Sequence, residues 1–192
     1  AAALALGALT GCSQNNDGAG SSGASTAPAA KPVILVTSFG TSYNSTRHVT
    51  IGAIEDAIRE KYGRDYDVRR AFTSQIIIDK LKERDGIEID NVEEALDRAK
   101  ADGVETVIVQ PTHLMAGLEY MDIKDELDKR SDDFKQVALG EPLLASDADY
   151  QAVAEAIAEQ RANLDDGACA FVLMGHGTTA DSNADYATMQ RT

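Results

Sequence analysis

"VILVTSFGTS", Val33 to Ser42, decides the fold. Val33 to Val36 form an unbroken apolar run, without the polar alternation of a strand that faces water on one side. Such a run suits a strand buried on both faces of a parallel sheet. It stops in small and hydroxylated residues: Ser38, Gly40, Thr41 and Ser42. The same design returns in "FVLMGHGTTA", Phe171 to Ala180, where an offset of 137 residues sets His176 on Phe39, Gly177 on Gly40 and Thr178 on Thr41. Two strand-to-loop junctions of one design predict a duplicated unit that carries a titratable ring in one copy.

Outward from Val33 the chain alternates. Val49, Ile51, Ile54, Ile58 and Tyr62 recur mostly at helical spacing and predict an amphipathic helix. "DYDVRRAFT" reads as a second strand and "QIIIDKLKERDG" as a helix closed by Gly86. "NVEEALDRAKADG" reads as a helix with Asn91 at its cap and Gly103 at its end. "VETVIVQPTH" is a third strand, "LEYMDIKDELDKRSDDF" a helix and "KQVALGEPLL" a fourth strand. "DADYQAVAEAIAEQRANL" is a long helix, and "ACAFVLMGHG" a fifth strand. Alternation of this kind means an α/β protein with a mainly parallel sheet.

The division expected is a signal-peptide remnant over residues 1–11, a flexible linker over 12–31 and a first α/β domain over 32–145. A bridging helix and the start of a second, truncated α/β domain occupy 146–192. "AAALALGALTGC" is a short apolar run of small residues, too short to span a bilayer and suited to a secretory signal. Leu9-Thr10-Gly11-Cys12 resembles a bacterial lipobox, which makes Cys12 the expected lipidation site and the protein an extracytoplasmic, membrane-anchored lipoprotein. The following segment is rich in Ser, Gly, Ala and Asn, and it cannot bury enough apolar surface to offset its ordering entropy. The missing initiator methionine and the echo at Phe171 suggest a chain cut at both ends.

A net charge of −14 argues against nucleic acid and anionic membrane surfaces as partners. An acidic ligand would need a local basic pocket within that repelling field. Two cysteines are present; with Cys12 lipidated, Cys169 has no partner, and it reads as a small core residue opening an apolar run. The oligomeric state is not legible, and a homo-oligomer is compatible with the sequence.

In open α/β sheets ligands bind at the carboxyl ends of the strands. Four junctions there are informative: Ser38 to Ser42, Phe72 to Ser74, Pro111 to His113, and Gly175 to Thr178. His176 between two glycines has two readings, a turn-bonding histidine or a metal ligand and general base. His113 is divided between pocket lining and structure, and His48 is a surface residue. No HExxH, CxxC, EF-hand, Walker or GxGxxG pattern is present. "GTSYNST" is hydroxyl-rich and can hold an anion or simply cap a helix. Arg69, Arg70, Lys80 and Arg84 are the best basic cluster, with Arg70 the member expected to reach the crevice.

"VTSFGTSY", "RRAFTSQIIIDKLKERDGIEIDNVEEAL", "VIVQPTHLMAGLEY", "LGEPLLAS" and "FVLMGHGT" together resemble the anaerobic, class II sirohydrochlorin cobaltochelatases, ferrochelatase-like tetrapyrrole chelatases. The likeness runs from about Val33 to about Tyr186. It implies two similar α/β domains with the tetrapyrrole between them. The reaction it implies is insertion of Co(II) into sirohydrochlorin in cobalamin biosynthesis, with release of two protons and no permanently bound cofactor. It assigns metal binding and proton acceptance to His176, and places a glutamate and a second histidine later in the second domain. Co(II) is the expected substrate metal, with Fe(II) or Ni(II) as alternatives, all borderline cations suited to imidazole. Ser38, Thr41, Ser42, Arg70 and His113 are candidate anchors for the many carboxylates of the substrate. Export favours a rival expectation, an extracytoplasmic carrier of haem, another tetrapyrrole or metal built on the same fold.

Overall fold

The computed structural model describes residues 30–162 and 172–192. Strand β1 (Val33–Ser38) is buried at all six positions, as its unbroken apolar run requires. It is one of the two inner strands of a four-stranded parallel sheet with β2 (Asp67–Phe72), β3 (Thr106–Pro111) and β4 (Gln136–Leu139), in the order β2-β1-β3-β4. The register sets Val36 beside Arg70 and Ser38 beside Phe72 on one side, and Val36 beside Gln110 on the other.

The connecting helices are α2 (Ala53–Tyr62), α3 (Gln75–Asp85), α4 (Val92–Ala101), α5 (Leu118–Lys129) and α6 (Asp147–Ala162), preceded by the short α1 (Asn44–Arg47). Local chemistry fixes their ends. Asn91 caps α4 in a reciprocal box, its side chain accepting from the Glu94 N–H while Glu94 accepts from the Asn91 N–H. Gly86 ends α3 at φ 66°, the left-handed cap conformation that a Cβ disfavours.

The main core lies on one face, where Val33, Leu35, Ala71, Val107 and Val109 meet Leu96 and Ala99 of α4 and Ile123 and Leu127 of α5. A second cluster joins Phe72 to Ile78 and Leu81 of α3. Each large side chain buried here contributes on the order of 1.5–3 kcal/mol relative to exposure. This burial holds the strand ends that carry the site.

Two expectations change. The predicted first helix is interrupted by a π-helical turn, His48–Gly52, between α1 and α2. A wider turn rotates the apolar stripe, so Val49 and Ile54 lie exposed while Arg47 and Glu55 are buried. His48 is exposed, as expected. The predicted fifth strand falls partly outside the described residues. From Val172 to Thr178 the chain forms no strand, and Val172, Leu173 and Met174 stand exposed. Apolar content alone does not make a strand without a neighbour to supply its hydrogen bonds. Cys12, the lipobox, Cys169 and the linker up to residue 29 lie outside the described residues.

Candidate functional site

The chain leaves β1, pairs β2 on one side and then crosses to β3 on the other. The carboxyl ends of β1 and β3 are therefore a topological switch point, where an open α/β sheet leaves a crevice. The loops there are knitted across strands. The Thr73 N–H donates to the Ser38 carbonyl at 2.9 Å, Thr112 N–H to Thr37 at 2.9 Å, and Leu143 N–H to His113 at 3.0 Å. Side chains close the same seam, with Thr112 Oγ1 donating to Ser38 Oγ at 2.8 Å.

His113 follows β3 at this edge. Both of its ring nitrogens are buried without a hydrogen-bond partner among the described residues. Burial holds its pKa below the ordinary histidine value, against an opposing pull from Glu119. A neutral imidazole with two unused ring atoms is the state in which it can accept from, or donate to, a polar group entering the crevice.

His176 sits on a turn held by α7 (Ala184–Arg191) and the short 3₁₀ turn before it, Asp181–Asn183. Its Nδ1 lies 2.8 Å from the Gly177 carbonyl oxygen. A carbonyl only accepts, so Nδ1 carries the proton and the Nε2 lone pair is left to a metal or a proton. The ring is exposed. Gly177 holds φ 81°. At Gly175 a Cβ would come 2.2 Å from the Tyr186 ring, so glycine is required there too. The turn adjoins the loop after β3: Thr178 Oγ1 and Glu119 Oε2 each lie 3.8 Å from where a Gly117 Cβ would stand. The helix behind it is tied to α6, with the Tyr150 hydroxyl bonded to Asp185; burial first, and then that bond, raises the Tyr150 pKa.

The sequence echo has a structural counterpart. Gly40 adopts φ 102° and Gly177 φ 81°. Thr41 Oγ1 accepts the Tyr43 N–H at 3.3 Å, and Thr178 Oγ1 accepts the Ala180 N–H at 3.2 Å. The same turn is therefore built twice, 137 residues apart.

The other candidates divide. Ser38 is buried against Thr112, and Ser42 is buried with its carbonyl accepting from Arg84 at 2.5 Å. Thr41 is half-buried, its carbonyl accepting from Arg47 at 3.3 Å. Arg70 sits two residues short of the end of β2 and binds Glu55 of α2 at 2.6 and 2.5 Å. The structure thus gathers Ser38, Thr112 and His113 at the edge and engages Arg70 elsewhere. Of the basic cluster, Arg69 pairs with Asp67 and Asp102, and Arg84 with Asp85. Among the described residues no three His, Cys, Asp or Glu side chains converge as a metal group.

Sequence reasoning missed the apolar character of this edge. Exposed side chains follow every strand: Phe39 after β1, Ile76 after β2, Leu114 and Leu118 after β3, and Leu143 after β4. Their signal was an apolar residue in the loop or first helical turn that follows each strand.

These features define an α/β protein whose open parallel sheet carries, at its switch-point edge, exposed apolar side chains and an imidazole unpartnered among the described residues. Residues 32–192 match the family model described as cobalt chelatase (CbiK), and the chain belongs to that family. It is 39% identical over 159 residues to the sirohydrochlorin cobaltochelatase of Salmonella typhimurium, a match covering 83% of this chain and 60% of that protein. It is 32% identical over 164 residues to the sirohydrochlorin cobaltochelatase CbiKC of Nitratidesulfovibrio vulgaris, covering 83% of this chain and 56% of the relative. The chain thus spans less than two thirds of the length of these curated relatives. A solved structure titled as a putative cobalamin biosynthesis CbiX protein from Marinobacter aquaeolei superposes with TM-score 0.45 and 16% identity, over 68% of this chain and 98% of its own.

Proposed function

We propose that this chain belongs to a sirohydrochlorin cobaltochelatase, inserting Co(II) into the tetrapyrrole in cobalamin biosynthesis. The observation that carries the reading is the 2.8 Å contact of His176 Nδ1 with the Gly177 carbonyl oxygen, which assigns the proton to Nδ1 and leaves the exposed Nε2 lone pair to act. In this reading Nε2 takes a hydrated Co(II), displaces water and passes the cation to the pyrrole nitrogens. Imidazole suits a borderline cation, holding it firmly enough to shed water and loosely enough to release it. Co(II) enters the ring as two pyrrole N–H protons leave; the freed imidazole accepts one of them and the other passes to solvent. No electron changes hands, so no redox partner is needed.

The apolar rim at Phe39, Leu114, Leu118 and Leu143 suits the faces of the macrocycle. Thr41 and the single ring N–H of a neutral His113, unpartnered among the described residues, are the polar contacts for its carboxylates. Arg70 joins them only by leaving Glu55. The duplicated turn supports two similar domains facing one cleft. The lipobox-like Leu9-Thr10-Gly11-Cys12 supports a protein tethered outside the cytoplasm through Cys12.

The test is absorbance-monitored Co(II) insertion into sirohydrochlorin by the complete mature protein beside its His176→Ala variant. Turnover by the wild type and none by the variant is expected. Stoichiometric tetrapyrrole binding without turnover by either would replace the enzyme with a carrier.

A further inference from the structure

His176 does not orient itself. Its Nδ1–H rests on the Gly177 carbonyl, and that carbonyl shares a peptide group with the Thr178 N–H. The Thr178 N–H in turn donates to Asn183 Oδ1 at 3.2 Å. A peptide group is planar, so a side chain that fixes its N–H also fixes the direction of its C=O. The preceding peptide is held separately, with the Gly177 N–H donating to Tyr186 Oη at 3.1 Å. Gly177 turns between these two planes at φ 81°, a conformation open chiefly to glycine. Both clamps come from one short segment, the turn and helix that follow the loop. In the earlier copy of the turn, Gly40 is packed instead by the Phe72 ring.

We infer that Asn183 is a positioning residue for His176: through the Gly177–Thr178 peptide it holds the ring in its Nδ1–H tautomer and aims Nε2 outward. Tyr186 supports the same turn from the neighbouring peptide. The chemistry this serves rests on the chelatase reading, whereas the tautomer does not depend on it. Groups that orient a metal-binding histidine typically change metal affinity by roughly 10- to 100-fold when removed.

The experiment uses the ¹⁵N-labelled full chain at pH 8 and reads the His176 ring nitrogens by long-range ¹H–¹⁵N correlation. Titration with Co(II) alone runs beside it. The wild type is expected to show a protonated Nδ1 and a bare Nε2. Asn183→Leu, which removes the acceptor, is expected to mix the tautomers and weaken His176-dependent Co(II) binding by roughly tenfold. Asn183→Asp keeps an oxygen at the same place and is expected to retain the wild-type tautomer. Tyr186→Phe keeps the ring against Gly175 and is expected to disturb the tautomer less than Asn183→Leu. An unchanged Nδ1–H tautomer in Asn183→Leu overturns the inference. Equal Co(II) affinity of wild type and His176→Ala instead sinks the chelatase reading and leaves the tautomer result to judge Asn183.

Discussion

Arg70 grips Glu55 along one edge of its guanidinium, Nε to Oε1 at 2.6 Å and Nη2 to Oε2 at 2.5 Å, and so ties β2 to α2. The two sides of this pair are unequal: the Glu55 side chain is 5% exposed and that of Arg70 is 32% exposed. Removing the arginine strands a buried carboxylate, whereas removing the glutamate leaves a cation that water still reaches. Arg70→Ala is therefore expected to cost roughly 2–3 kcal/mol, discounted from a fully buried pair, and Glu55→Ala about 1 kcal/mol. Urea unfolding of both variants checks the order, and equal losses would contradict the asymmetry. If Arg70 also anchors substrate, Arg70→Ala lowers tetrapyrrole affinity beyond any effect of Glu55→Ala.

His113 predicts a pH dependence. Burial lowers its folded-state pKa beneath the unfolded value near 6.5. In the interval between the two, the unfolded chain binds more protons than the native one, so stability rises with pH. The native state bears no penalty from this residue above about pH 6.5, and the penalty grows as pH falls below it. Urea midpoints of the wild type are expected to drop between about pH 6.5 and 5, before most carboxylates titrate. His113→Phe, which fills the space without a proton to bind, is expected to flatten that slope. A slope unchanged in the variant would assign the effect to other groups.

The alternation of elements was legible because β1 and β3 carry unbroken apolar runs, Val33 to Val36 and Val107 to Val109, and because Asn91 and Gly86 mark helix ends by local chemistry. The start of the first long helix was not. A π turn after Arg47 moves the buried stripe onto Arg47, Gly52 and Glu55, and periodicity counted on apolar residues alone is blind to buried charged side chains. At the site, the Gly-His-Gly sequence pointed to His176, and topology pointed to His113. What the spacing could not reveal is that Arg70 is claimed by Glu55, since the partner lies on another element. Nor could it reveal that Asn183 reaches back five residues to the Thr178 N–H, a contact created by the turn geometry.

The capping box at Asn91 yields a smaller, local prediction. Its side chain satisfies the Glu94 N–H at 2.9 Å, and its amide also donates to Gln75 Oε1 at 3.2 Å. Asn91→Ala is expected to cost about 1 kcal/mol, while Asn91→Asp keeps the cap and loses only the contact with Gln75. Thermal denaturation of the two variants separates these outcomes, and equal losses would show that the bond to Gln75 is the larger part.

Gly40 and Gly86 both hold positive φ, at 102° and 66°, yet they should not respond alike to alanine. A Cβ on Gly86 meets nothing within 4 Å, so Gly86→Ala is charged only for the left-handed backbone, roughly 1 kcal/mol. A Cβ on Gly40 would come 2.6 Å from Cδ2 of Phe72. Phe72 is fully buried between Gly40 and the Ile78–Leu81 face of α3, so its ring has little room to move away. Gly40→Ala therefore adds overpacking to backbone strain and is expected to cost roughly 2–4 kcal/mol. The double variant Gly40→Ala with Phe72→Leu tests the cause. Shortening the ring should make the alanine cheaper than it is in the wild type, a coupling that urea unfolding of the four proteins measures directly. Additive losses would mean that the turn's backbone alone, and not its packing on Phe72, demands glycine at this position.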